Sequence, residues 1–533
     1  MTVERSNRID TFIRGTTIRG FLSSEEVANY LGIRYAEIPS RFRNARLLDL
    51  PTPGGIIDAT AYGPRCPQPH NAGRDRRKHL YEGILPVSSI PTSEFACLNL
   101  NVYTPPNAKG LLAKLPVVVW IHGGGFIFGE GCSEYDGNHL IRQAVTLGKP
   151  FVFVTINYRL GFYGFLSSRE LEAEALQLGE EYCPNQGLRD QRLALQWVKA
   201  NIEFFGGDPS NVTIAGQSAG GFAALSHLVT NVPLCHRGWI MSSTLSPFEG
   251  VEECQKTFDG LVSSSGLGAS ASDSTKLSAL RSLTPEQMNR FLGNRMLMRP
   301  AWDSKQFTYQ DQASPISCIS GFPSWVKGLT IGWAHDEFAM FHRIWKSWSA
   351  EKLKKVITSA VLDPELAGKI LQVYQMDTDS QEQAVRGLLD FSTDSFYAAL
   401  PVKLADRNVP TSVYRFDQID PFEESVYRGY AYHCLDTPLL CRLPGVAGPQ
   451  APSSLRATAD FFSRSLTEFL YGNPPWECFN DSGKVMLVNG EQSGLVDWPN
   501  DGRWKQFMVT KEGAIQFANA GCALVSYMAD FYM

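Results

Sequence analysis

The chain has 533 residues, 44% hydrophobic and 19% charged, ordinary values for a protein that buries a large core. Its 49 Lys and Arg against 54 Asp and Glu leave a formal charge of −5, which argues against a basic face and against nucleic acid as a partner. The N-terminal MTVERSNRID lacks an apolar stretch of signal-peptide type. The most apolar segments, LPVVVWI (115–121) and FVFVTI (151–156), are too short to span a bilayer. The expectation is a cytoplasmic chain with no membrane segment. Eleven Cys without a C-x-x-C pair speak against a zinc ribbon or a thioredoxin-type site, and most read as buried thiols.

In chain order, LPVVVWI is a buried strand followed by a glycine turn, and FVFVTINY (151–158) is a second strand. Segment 188–206 is a helix, with Leu188, Leu193, Leu195, Val198 and Ile202 recurring at threes and fours. NVTIA (211–215) is a short strand and AGGFAALSHLVT (219–230) a helix. Strand, crossover helix and strand in this order predict a large, mostly parallel sheet with helices on both faces. Two less regular stretches, about 240–325 and 340–405, read as helical cap insertions, with KLSALRSL (276–283) a helix in the first. Strands return at LTIGW (329–333), TSVYRF (411–416) and KVMLV (484–488), and 454–472 is an amphipathic helix ending at glycine. Length alone favours roughly three or four domains. The chemistry below draws on residues 122 to 433, which favours one domain, 1–533, with insertions.

Gly216-Gln217-Ser218-Ala219-Gly220 is a G-x-S-x-G motif. On the order of 0.3 such matches arise by chance in a chain this rich in Gly, so its context carries the weight. It lies between a strand and a helix, as in the nucleophile elbow of α/β-hydrolases, where a tight turn holds the serine above the sheet at a helix N-terminus. A glycine-rich packing turn is the alternative. His122-Gly123-Gly124-Gly125-Phe126 directly follows the strand LPVVVWI. Acyl transfer builds charge on a carbonyl oxygen, and glycine backbone can bring N–H groups close to it. A phosphate loop would end in Gly-Lys-Ser/Thr, which is absent. His122 precedes the glycines and reads as structural.

A serine nucleophile needs a histidine base, and the histidine an orienting carboxylate, in the chain order Ser, acid, His. Of nine His, only His433 comes late enough to leave an acid on an earlier strand end. Asp336 and Glu337 both follow the strand LTIGW, and Asp311 is a more distant rival; residue type does not decide between the neighbours.

The chain resembles the type-B carboxylesterase family, which includes the cholinesterases. The resemblance rests on YLGIRYAEIPSRF (30–42), SEFACLNLNVYTP (93–105), NYRLGFYGFL (157–166), the long segment 185–220 and GNPP (472–475). It implies an α/β-hydrolase fold and a serine esterase that needs no metal or cofactor. It also selects the acid, since a glycine followed five positions later by glutamate matches Gly332 and Glu337; Phe338 departs from the usual glycine. His433 matches the family's base, and Gly124, Gly125 and Ala219 its oxyanion donors. Ser243 resembles a serine that supports the triad in some members. Cys66 and Cys97 match a pair that is disulfide-bonded in secreted members. Cholinesterases hold a cation on a tryptophan between those cysteines, whereas 66–97 here has none and carries Arg74, Arg76, Arg77 and Lys78. The implied substrates are small uncharged esters of hydrophobic acids or alcohols, with Phe126, Phe128 and Phe222 lining an apolar gorge. The chain is also similar to leaderless fungal members, some in natural-product pathways. An acyltransferase or cyclase with the same triad is the alternative. A non-catalytic adhesion protein on this fold is disfavoured because all three triad positions are present.

Overall fold

The computed structural model describes residues 7–531 apart from 50–53, 107, 109–113, 244–247, 269, 294, 296, 304–320, 406–407, 499–502 and 504. Among these, thirteen strands form one sheet. Its centre is seven adjacent parallel strands: β1 (Leu115–Ile121), β2 (Val152–Ile156), β3 (Gly207–Gln217), β4 (Arg237–Met241), β5 (Gly328–Ala334), β6 (Thr411–Phe416) and β7 (Lys484–Val488). They lie side by side in the order β2-β1-β3-β4-β5-β6-β7. Antiparallel strands flank this block, Arg8–Ile13, Thr16–Leu22, Ala28–Arg34 and Asn99–Thr104 at one side and Gly494–Asp497 at the other. The chain has the α/β-hydrolase fold, with a mixed sheet whose N-terminal antiparallel edge has no counterpart in the predicted elements.

Strand β1 shows why its sequence is apolar at every position. Val117, Val119 and Ile121 enter one hydrophobic core, and Val118 and Trp120 enter a second on the opposite face. A strand buried on both sides cannot alternate with polar residues. Helices α1 (Gln186–Asn201) and α2 (Ala219–Leu228) supply Leu188, Ala194, Ala223 and Ala224 to the first core. Helix α3 (Ser453–Leu470) supplies Leu455, Ala459, Phe462 and Leu466 to the second.

Helices run through the described parts of both stretches read as cap insertions, with irregular chain between them. Five of them start on capping side chains: Ser272, Thr284, Ser349, Asp363 and Ser380 each accept from a backbone N–H in the first turn. Residues 244–247 and 304–320 of the first stretch lie outside the described residues. Among the described residues, no helix is long and apolar enough to cross a membrane.

The distinctive N-terminal segments meet in pairs. Arg41 of YLGIRYAEIPSRF pairs with Glu94 of SEFACLNL at 2.6 Å, and Arg159 of NYRLGF with Asp190 of the α1 segment at 2.7 Å. Arg159 also donates to the Arg43 carbonyl and to Gln186, so its buried charge is fully partnered. Replacing Asp190 with Ala leaves that guanidinium without its carboxylate. A loss of about 3–5 kcal/mol is expected, measured as a lower urea midpoint at unchanged m value.

Candidate active site

The side chains read as nucleophile, acid and base lie beyond the carboxyl ends of parallel strands, the usual place for a ligand crevice in such sheets. Strand β1 runs into residues 122–125, β3 into Ser218, β5 into the 335–338 turn, and β6 leads to the loop carrying His433.

Strand β3 is longer than the 211–215 expected, and its last residue, Gln217, is bonded in register with Met241 of β4. Ser218 follows at φ +58° and ψ −125°, a strained backbone for a residue with a Cβ. Its N–H donates to the Met241 carbonyl and its own carbonyl starts helix α2. The glycines of the motif let the layers approach. A Cβ at Gly220 would lie 2.0 Å from the Ile121 carbonyl oxygen, and one at Gly123 would lie 2.6 Å from the Gln217 carbonyl oxygen. The 122–125 loop is thereby pressed against the serine turn.

Gly124 and Gly125 have φ of +107° and +63°. Their carbonyls are occupied, by Ile127 and Phe128 for Gly124 and by Met298 for Gly125. Among the described residues, the N–H groups of Gly124, Gly125 and Ala219 donate to no protein acceptor. The first N–H groups of a helix have no partner within it, so Ala219 adds a donor from the start of α2. His122 is buried, with Nδ1 2.9 Å from the Gly123 carbonyl and its ring stacked on Tyr158 at 4.4 Å. Burial lowers its pKa to about 4, so it is a neutral structural ring.

The turn after β5 separates the two rival acids. Glu337 accepts the Ala334 N–H at 2.8 Å through Oε1 and lies 2.5 Å from His433 Nδ1 through Oε2. Asp336 is occupied elsewhere: Oδ1 accepts from Arg386 at 2.8 Å and Oδ2 from the Ala431 N–H at 3.1 Å. Its own N–H donates to the Ala431 carbonyl. Asp336 therefore fastens the histidine loop to the β5 turn, while Glu337 faces the imidazole. Asp311 lies outside the described residues.

Burial works against the imidazolium of His433, but Cys434 and the Glu337 carboxylate outweigh it and hold the pKa well above the ordinary value. Among the described residues, no hydrogen bond joins Ser218 Oγ to His433; the neighbour from the β3 end is the Gln217 amide, 3.1 Å from Nε2. Such bonds are often loose before substrate arrives.

Of the three phenylalanines read as gorge lining, Phe126 and Phe222 meet at 6.1 Å, and Phe222 extends to Phe248 at 5.5 Å. Phe128 is half-buried, with its backbone against Gly124. Ser243 is buried close behind the serine turn, near Gly221. Cys66 and Cys97 are buried free thiols in contact; the hydrogen bond that the Cys97 S–H donates to Cys66, together with burial, pushes the Cys97 pKa up. Sequence reasoning missed Gln217, Tyr397 and Asp436. Tyr397 places its ring 5.2 Å from that of His433. Asp436 is fully buried one turn after the histidine, and burial and Glu337 raise its pKa to about 7. Only Gln217 had a signal, as the variable position of the motif.

The profile of the carboxylesterase family matches residues 7–516. Para-nitrobenzyl esterase from Bacillus subtilis is 30% identical over 522 residues, 93% of this chain and 96% of its own. Lipase 5 from Diutina rugosa is 37% identical over 304 residues, 52% of this chain and 51% of the lipase, so against it the chain spans about half the relative's length. A solved structure of a PNB esterase superposes with a TM-score of 0.72 at 26% identity, covering 93% of this chain and 99% of the other. A match from residue 7 to residue 516, on a sheet that carries serine, glutamate and histidine at its carboxyl edge, means that the chain belongs to the carboxylesterase family.

Proposed function

We propose that this protein is a carboxylic ester hydrolase that works through an acyl-enzyme on Ser218. The observation that carries the reading is the Glu337–His433 pair at 2.5 Å, buried at the same sheet edge as a serine in a strained strand-to-helix turn. The family and the esterase and lipase names of its relatives support it.

In this reading, Ser218 Oγ attacks the ester carbonyl carbon and its proton passes to His433 Nε2. The N–H groups of Gly124, Gly125 and Ala219 hold the carbonyl oxygen as it becomes an oxyanion. The imidazolium, stabilised by Glu337, protonates the leaving alkoxide. Water, deprotonated by His433, then attacks the acyl carbon and releases the acid and free Ser218. No step calls on a metal or cofactor.

The substrate class is uncharged, fairly hydrophobic esters. Phe126, Phe222 and Phe248 make an apolar wall beside the oxyanion loop. The segment between Cys66 and Cys97 offers a cation no tryptophan, and its Arg74 is paired with Glu134.

Fluorophosphonate labelling followed by peptide mass analysis should place the adduct on Ser218. A panel of p-nitrophenyl and choline esters of matched acyl length should show faster turnover of the uncharged series. An adduct elsewhere, or faster choline-ester turnover, overturns the respective part. Ester formation in preference to acid release when an alcohol is added would mark the acyltransferase alternative.

A further inference from the structure

A carboxylate at one ring corner directs an imidazole but does not fix its plane, because a hydrogen bond tolerates tens of degrees of tilt. Sites that move protons need their groups held within about 10–20° by packing. Two contacts on the His433 ring supply such a restraint. The Gln217 amide nitrogen lies 3.1 Å from Nε2 and 3.5 Å from Nδ1. Those nitrogens flank a single ring carbon, so an atom close to both sits over the ring rather than in its plane. Tyr397 meets the ring at 5.2 Å with a 43° tilt.

The placement of Tyr397 is itself unusual. The helix Gln381–Thr393 passes into a π turn at Asp394–Ala398 before continuing as Ala399–Ala405; such wide turns are rare and frequent at functional sites. The turn presents Phe396 and Tyr397 to Phe338, at 5.9 and 5.7 Å. Phe338 is backed in turn by Phe341 and Trp345 at 5.7 and 6.3 Å. It directly follows Glu337, so one short turn both faces the imidazole with a carboxylate and buttresses the phenol against it.

We infer that Gln217 and Tyr397 are positioning residues that hold the imidazole plane of His433, with Phe338 as the support behind Tyr397. The inference rests on the proposed role of His433 as base. The other titratable groups around the ring are Glu337 from the β5 turn, Cys434 and Asp436 from its own loop, and the Tyr397 phenol from the π turn.

The test uses the full chain and p-nitrophenyl butyrate. Tyr397→Ala should lower kcat about 10–100-fold, since small misplacements cost up to about 100-fold, with KM changed less than about threefold. The fluorophosphonate labelling rate should fall in parallel, and Tyr397→Phe should restore most of both. Gln217→Glu sets a carboxylate against the ring and should move the acid limb of kcat/KM to higher pH. If Tyr397→Ala does not fold, Tyr397→Leu takes its place. A loss confined to KM makes Tyr397 a substrate wall and overturns the inference. So do unchanged kcat in the Tyr397 variant and an unmoved pH limb in Gln217→Glu. Wild-type chain unlabelled at Ser218 would instead sink the proposed function, which keeps the two failures apart.

Discussion

Ser218→Ala is expected to lower p-nitrophenyl ester turnover by about 10⁴-fold or more while leaving the fold intact. The size follows from what remains. The hole donors and apolar wall can still bind an ester, but no group forms the covalent intermediate. Alanine also suits the site structurally, because the loss is one partly exposed hydroxyl that makes no hydrogen bond among the described residues. The serine turn is strained for any residue with a Cβ, so the variant inherits the strain without adding to it. Stopped assays with purified protein and a urea unfolding curve check both halves. Undiminished turnover in a folded variant would falsify the role of Ser218.

Glu337→Gln should produce the second largest loss, about 10³-fold in kcat, with a change in pH dependence. The side chain keeps its shape but loses the charge that faces Nδ1 at 2.5 Å. An imidazole with no carboxylate behind it can adopt the tautomer whose proton sits on Nε2, where the base must be empty. The sign of the pH effect follows from His433. In the wild type its pKa is held above the ordinary value of 6.5, and only the neutral ring acts as base. kcat/KM should therefore rise with pH through a limb above 6.5, and in Glu337→Gln that limb should move down. Stability runs the other way. A histidine raised on folding stabilises fully below its unfolded value, and that contribution is lost as pH rises through the folded one. Profiles of kcat/KM from pH 5 to 9 for both proteins decide the matter.

The candidate site could be read from the sequence where it is local. The serine turn, the glycine loop and the strands leading into them are short segments whose residue types answer to backbone geometry. Their locations at β1, β3 and α2 follow with small changes in boundary: β3 extends to Gly207–Gln217 and α2 stops at Leu228. The choice between Asp336 and Glu337 was not local. Both residues sit in one turn, and what separates them is that Asp336 meets Ala431 and Arg386, each far along the chain. Tyr397 was hidden for a similar reason. It lies in a stretch that reads only as cap helix, and its contact with His433 depends on a π turn that no periodicity reveals. The antiparallel N-terminal strands were missed because they pair at a sheet edge and lack the continuous apolar runs that mark β1 and β2.

The distances along the chain have a consequence for synthesis. Glu337 and His433 are separated by 96 residues, and Gln217 and His433 by 216. Contacts this long in sequence form late, after the entropy of closing large loops has been met. A ribosome that has released the serine turn and the glycine loop has still to make the base, and β7 with helix α3 after it. Nascent chains ending before residue 433 should therefore carry the nucleophile motif without esterase activity. Regain of activity on refolding should trail the return of helical signal, making turnover a reporter for the last tertiary contacts to form.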